Sequence, residues 1–177
     1  MIKNIFGHLK TVLVHKWWIF YYCCKFGIPH RGIFHDMSKF SPTEFWESVK
    51  YYSGTRSPID ASKEANGWSK AWLHHRQHNL HHYEVWTDNY DTHIVSIEMP
   101  YKYAVEMFAD YIGAAKAYLG KDFTWEKELK WWLCKKNVAK SMNVNTKLFI
   151  DNCFMYCTEY NRCPNKKILK SIWSSIH

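Results

Sequence analysis

An all-α, single-domain fold is predicted by three features of the sequence. Its 177 residues suffice for one domain with a buried core. Hydrophobic residues make up 47% and aromatics 18%, against only seven glycines and five prolines, which disfavours both disorder and a turn-rich β protein. The N-terminal segment repeats apolar residues at helical steps. The whole chain, 1–177, is expected to form one unit.

Taken in order, Ile5, Leu9, Val12, Ile19 and Tyr22 recur three or four residues apart, so residues 2 to 26 read as one amphipathic helix with His15 on its apolar stripe. Gly27 to Pro29 end it, and a short helix should carry Ile33 to Phe40. Ser41-Pro42-Thr43-Glu44 then supplies an N-cap serine, a proline at the first helical position and a glutamate three residues after the cap. That helix runs to about Tyr52. Residues 53 to 67 contain Gly54, Ser57-Pro58, Asp60 and Asn66-Gly67 and read as the one clear loop, long enough to act as a lid. Trp68 to about Trp86 looks helical, with a potential break around Asn79-Leu80, and Thr87 to Met99 reads as irregular or short extended structure. Pro100 opens a helix that Gly120 closes. Thr124 caps another to about Lys140, and residues 146–160 and 165–175 are expected to be helical.

The formal charge is +8, from 24 Lys and Arg against 16 Asp and Glu, which favours anionic partners such as phosphorylated metabolites, nucleotides or nucleic acid. The excess is strongest at Lys135-Lys136, Lys140, Lys147, Arg162 and Lys166-Lys167. With no nucleic-acid-binding motif beside it, this stretch reads first as a solvated basic face. Met1 to Ile28 is apolar, but His15, Lys16 and Lys25 interrupt the run of about 20 residues that a bilayer span requires, and no small-residue cleavage site follows. A cytoplasmic protein without membrane attachment is expected. The six cysteines, Cys23, Cys24, Cys134, Cys153, Cys157 and Cys163, lack CxxC spacing and are expected to be buried thiols. Cys153 and Cys157 share a helix face.

Chemistry concentrates in two runs. His35-Asp36-Met37-Ser38-Lys39 contains a His-Asp dyad, and residues 74 to 82 hold five of the eleven histidines; neutral imidazole is the commonest ligand for a transition metal. On a continuous helix, Trp68, Trp72, His75, Asn79, His82 and Trp86 would share one face, with His74, His78 and His81 on an adjacent stripe. Such a helix can equally be a polar solvent face, but a stripe set among tryptophans needs partners. Adjacent His35 and Asp36 would diverge by about 100° on a helix, yet Asp36 has two oxygens and can bridge two cations. Lys39 stands one turn on, placed to hold a phosphate oxygen. Asp110 follows Glu106 by one turn, and Gly113-Ala114-Ala115 would let another helix approach closely.

The ordered set His15, His35-Asp36, a histidine from 74 to 78, His81-His82 and Asp110 resembles the HD-domain phosphohydrolase superfamily. His35 to Lys39 looks like the dyad of its cyclic-dinucleotide branch, although the Gly-Tyr-Pro signature of that branch is missing. The closest resemblance is to a family of small, uncharacterised HD-like bacterial and viral proteins. It is carried by residues 35–42, by Ala71-Trp72-Leu73-His74-His75 through Asn79 and His81-His82-Tyr83-Glu84, and by Met99-Pro100 through Glu106-Met107 and Asp110. It covers roughly residues 8–120 and leaves the helices of 121–177 unexplained. The resemblance implies an HD-like helical bundle. It also implies a metal-dependent phosphohydrolase acting on a nucleotide or other small phosphate ester. His15, His35, Asp36 and Asp110 would bind one divalent ion, with Asp36 bridging to a second held by His75, His81 and His82. Asp36 and Lys39 would be catalytic, and Glu106 would orient a ligand from behind. Mn, Fe, Co, Ni or Zn suits such ligands. A di-iron oxygenase and a non-catalytic nucleotide or nucleic-acid binder remain alternatives.

Overall fold

The longest helix, α1 (Ile2–Phe26), runs the full length that the apolar repeat predicts. Its buried residues are His8, Val12, His15, Ile19, Tyr22, Cys23 and Phe26, a stripe at helical spacing that faces the interior. The computed structural model describes residues 1–91, 93–134 and 141–177. Within them the fold is all-α and single-domain, apart from one small hairpin. α1 packs along α6 (Tyr101–Leu119), closely enough at Gly113 that any Cβ there would collide with the Ile19 side chain. The small residues around 113 do admit a neighbouring helix, as the sequence suggests.

After Gly27, in the left-handed conformation at φ 80°, the chain folds back as α2 (Pro29–Phe34). The expected helix over Ile33 to Phe40 is not continuous. It stops at Phe34, Asp36 adopts a left-handed backbone at φ 53°, and Met37–Phe40 form a separate 3-10 turn. α3 (Pro42–Tyr51) starts where the capping signal places it, with Ser41 Oγ accepting from the Glu44 N–H at 3.3 Å. The expected loop over residues 53–67 is instead mostly helix, α4 (Pro58–Asn66). Ser57-Pro58 and Asn66-Gly67 are helix boundaries here: Pro58 fills the first turn and Gly67 closes the end at φ 79°.

The helix expected from Trp68 to Trp86 is also shorter. α5 (Lys70–His78) ends at Asn79, whose side-chain amide donates to the His75 carbonyl at 2.7 Å, and a short turn at Tyr83–Val85 follows. β1 (Thr87–Tyr90) and β2 (His93–Ser96) pair antiparallel, Thr87 opposite Ser96. Beyond α6, Thr124 caps α7 (Trp125–Leu133) as expected. The extension of that helix to Lys140, with Lys135, Lys136 and Lys140 of the basic stretch, lies outside the described residues.

α8 (Val144–Tyr160) and α9 (Lys166–Ser174) give the last third of the chain its role. Phe149, Ile150, Cys153, Phe154, Cys157 and Leu169 join Phe26, Phe108 and Ile112 in one core. Cys23, Cys153, Cys157 and Cys163 are buried thiols, whereas Cys24 and Cys134 are exposed, contrary to expectation, because both face away from that core. Among the described residues, no helix is long and apolar enough to cross a membrane.

Gly32 fixes how α2 lies on α1. A Cβ there would stand 2.8 Å from the Phe20 Cα and 2.8 Å from the Cys23 Cβ, and backbone cannot step aside as a side-chain tip can. Gly32→Ala gains up to about 1 kcal/mol of helix preference but meets an overpacking cost of about 1–3 kcal/mol. Chemical denaturation should record a net loss of roughly 1 kcal/mol; a stabilised variant would contradict this packing.

Candidate metal centre

Four segments converge on one buried point. α1 supplies His15 from its middle, the break between α2 and the 3-10 turn supplies His35 and Asp36, and α6 supplies Glu106 and Asp110 one turn apart. α5 supplies His75, and the chain after its end supplies His81 and His82. His35, Asp36, His75 and His81 are almost fully buried. The left-handed turn at Asp36 overcomes the divergence that adjacent helical residues would have, so His35 Nε2 and Asp36 Oδ2 lie 3.2 Å apart. Such a backbone is unusual for a non-glycine residue and is typical of functional sites.

The two Asp36 oxygens face different histidines. Oδ1 lies 3.4 Å from His75 Nε2 and 3.4 Å from His81 Nε2. Oδ2 lies 3.5 Å from His15 Nε2 and 3.2 Å from His35 Nε2. Asp110 Oδ1 completes the second group, 3.1 Å from His15 Nε2 and 3.5 Å from His35 Nε2. Among the described residues, two groups of potential ligand atoms share Asp36, one with His75, His81 and His82 and the other with His15, His35 and Asp110, and a third consists of His35, His81 and Glu106. Every sequence-predicted ligand belongs to at least one of them. His74 and His78 belong to none; their rings stack on each other at 4.1 Å at the margin of the site.

These atoms do not satisfy one another. Nε2 of His15, His35, His81 and His82 and Oδ1 of Asp36 are buried without an aligned hydrogen bond, although buried polar atoms almost always have one; Asp36 Oδ2 has Lys39 beside it. Four or more atoms each about 2.0–2.2 Å from a common ion stand about 2.8–3.6 Å apart. The separations here match that spacing better than hydrogen bonding. The residues around Asp36 could therefore hold a metal ion.

The outward ring nitrogens are held by carboxylates. His35 Nδ1 lies 3.0 Å from Glu106 Oε1, and Arg31 pairs with the other Glu106 oxygen. His75 Nδ1 lies 2.7 Å from Glu44 Oε2, and His74 Nδ1 is 2.7 Å from Glu44 Oε1. This is how metal-binding histidines are usually oriented, with one nitrogen fixed so that the other points at the ion. Glu106 thus lies beside His35, and it is also one of a group of potential ligands with His35 and His81. The Glu44 backbone N–H donates to Ser41 Oγ as the cap signal predicts, but the Glu44 side chain does not complete a capping box: the Ser41 N–H donates to the Ser38 carbonyl, and the Glu44 carboxylate turns inward to the two histidines. Its spacing from Ser41 gave a sufficient local explanation that concealed this second role.

Burial raises the pKa of Asp36, but the His35 and Lys39 charges outweigh it and hold the carboxyl well below its usual range. Asp110 is likewise held low despite burial, by His15 and His35. Burial alone would lower His35, yet Asp36, Asp110 and Glu106 raise it well above normal. Burial and the neighbouring His35 charge push His81 down to about 3, and burial with His81 and His75 pushes His82 well below normal. The last two rings are thus neutral, the form that ligates metals. Lys39 Nζ stands 2.6 Å from Asp36 Oδ2, confirming the shared face, and about a quarter of its side chain is exposed.

A cavity of about 700 Å³ opens onto the cluster, lined by His15, Asp36, Lys39, His75, His82 and Asp110. His8 lines it as well. Sequence reasoning missed His8, although its position seven residues before His15 puts both on one helix face.

Residues 4–155 match a protein family described as a family of unknown function (DUF5662), and the chain belongs to that family. No curated protein and no solved structure matches the chain.

The shared carboxylate makes metal content sensitive to single changes. Purified wild type reconstituted with Mn(II) or Zn(II) should bind two equivalents by elemental analysis, and Asp36→Ala should lose both. Glu44→Gln should keep the fold but weaken the ion beside His75 by about 10–100-fold. Wild type that retains no metal after reconstitution would contradict the assignment.

Proposed function

We propose that this protein is an HD-type, metal-dependent phosphohydrolase acting on a small phosphate ester, a nucleotide being the leading candidate. The observation that carries the reading is the carboxylate of Asp36, whose two oxygens face separate sets of histidines at 3.2–3.5 Å. His15, His35, Asp110 and Asp36 Oδ2 would hold one ion; His75, His81, His82 and Asp36 Oδ1 would hold the other. Mixed imidazole and carboxylate donors suit Mn, Fe, Co, Ni or Zn. Two such ions acidify water and neutralise charge on a transferred phosphoryl group.

The chain's own groups do the rest. Glu106 and Glu44 fix the His35 and His75 rings from behind, so the ligand atoms need no reorganisation when substrate arrives. Lys39, at Asp36 and on the cavity wall, places its ammonium where a phosphate oxygen would lie beside the ions. The cavity volume of about 700 Å³ is that of a small-molecule site. Among the described residues its lysines, Lys39 and Lys63, are accompanied by Asp60, Glu44 and Glu84, which favours a compact ester over a nucleic-acid strand.

Phosphate release from a panel of phosphomonoesters, nucleotides and cyclic nucleotides tests this reading. Turnover should require a divalent transition metal, vanish with chelator and in Asp36→Ala, and fall at least about ten-fold in Lys39→Ala. Iron-dependent oxygen consumption without phosphate release would favour the di-iron alternative. Tight nucleotide binding with no turnover under any of these metals would favour a non-catalytic binder.

A further inference from the structure

His8 is as buried as the metal-site histidines, at 6% exposure, but belongs to none of the ligand groups. Neither of its ring nitrogens has a hydrogen-bond partner. An unsatisfied buried polar group costs about 1–3 kcal/mol, so two on one ring call for an explanation. The ring lies against Phe45 and Tyr52, with centroids 5.4 and 5.9 Å away. Tyr52 is in turn fixed by a 3.0 Å hydrogen bond between its hydroxyl and Thr11. His8 is therefore positioned by its neighbours and left without polar partners of its own, on the wall of the cavity that also contains the metal centre.

Its separation from that centre follows from the helix. Seven residues at 1.5 Å each put His8 about 10 Å along α1 from His15. Burial, with the charge of Lys39 second, pushes its pKa down to about 4. Near neutral pH the ring is uncharged and offers one donor and one acceptor. The cavity wall near it adds the hydroxyl-bearing Thr11, Ser48 and Tyr118. Lys63 lies over the Trp72 ring at 4.2 Å, with Asp60 also on the wall. Among the described residues, then, the wall away from the metals has neutral hydrogen-bonding groups and, in Lys63, a lysine engaged by Trp72, with no cluster of cations to receive a second phosphate.

We propose that the cavity beyond the metal centre binds the uncharged, hydrogen-bonding body of a phosphomonoester with a single phosphate, and that His8 contacts this body two helical turns along α1 from His15. This rests on the phosphohydrolase reading and narrows its substrate class: diphosphates and triphosphates are selected against. His8 is a specificity residue and takes no part in bond breaking.

Calorimetry on the metal-loaded protein tests the assignment with four probes: inorganic phosphate, non-hydrolysable phosphonate analogues of a nucleoside monophosphate and of a hexose phosphate, and a non-hydrolysable nucleoside triphosphate. At least one monophosphonate should bind about ten-fold or more tighter than both inorganic phosphate and the triphosphate. His8→Ala should remove about that factor for the monophosphonate and leave inorganic phosphate unchanged, whereas His8→Asn, which keeps a donor and an acceptor, should retain part of it. Equal binding of the triphosphate, or a His8→Ala effect that is absent or the same for all probes, would overturn the inference. Failure of inorganic phosphate to bind the metal-loaded protein would instead overturn the phosphohydrolase reading, and this inference with it.

Discussion

The structure depends on burying the carboxylate of Asp36 where two groups of imidazoles can reach it. Removing such a charge from water costs several kcal/mol unless cations and hydrogen bonds replace the lost hydration. Around it the fold also buries Glu44 and Glu106 and nearly buries Asp110, with Arg31 and Lys39 as the paired fixed cations. Four carboxylates against two cations leave negative charge in excess, and Asp36, Asp110 and Glu106 accordingly raise the pKa of His35 well above its usual value despite burial. A bound metal ion would supply missing charge and missing partners at once.

The scaffold converts this requirement into geometry. His15, Glu106 and Asp110 project from the long helices α1 and α6, whose packing at Gly113 and Ile19 fixes their separation. The groups that must turn sharply come from helix breaks. Asp36 sits in a left-handed turn held by α2 and the 3-10 segment, and His81 and His82 follow the end of α5. Asn79 links these breaks, since its amide donates both to the His75 carbonyl and to Ser38 Oγ at 2.7 Å. Rigid helices thus position one side of the cluster, and locally determined turns the other.

The sequence was legible where function and helix periodicity coincide. The length of α1, the inward face of His15 and the one-turn spacing of Glu106 and Asp110 all follow from a period of 3.6 residues. The His35-Asp36 pair was identifiable by type, but its convergence depends on a left-handed backbone set by tertiary contacts. α4 is hidden in the sequence because Ser-Pro and Asn-Gly punctuate turns and helix ends alike. Within residues 74–82, the choice of ligands hinged on whether the helix breaks at Asn79, and the break brings His81 in beside His75 and His82. Glu44 was concealed by its capping role. His8 was missed because one histidine on an apolar stripe carries no local signal until the cavity beside it is known.

The central claim is that one carboxylate joins two ions, and electron paramagnetic resonance of the Mn(II)-loaded protein tests it directly. At two equivalents, ions bridged by Asp36 should give the spectrum of an exchange-coupled pair. Asp36→Asn should abolish the coupling while circular dichroism remains unchanged. Two independent mononuclear signals at full loading, or coupling that survives in Asp36→Asn, would contradict the account.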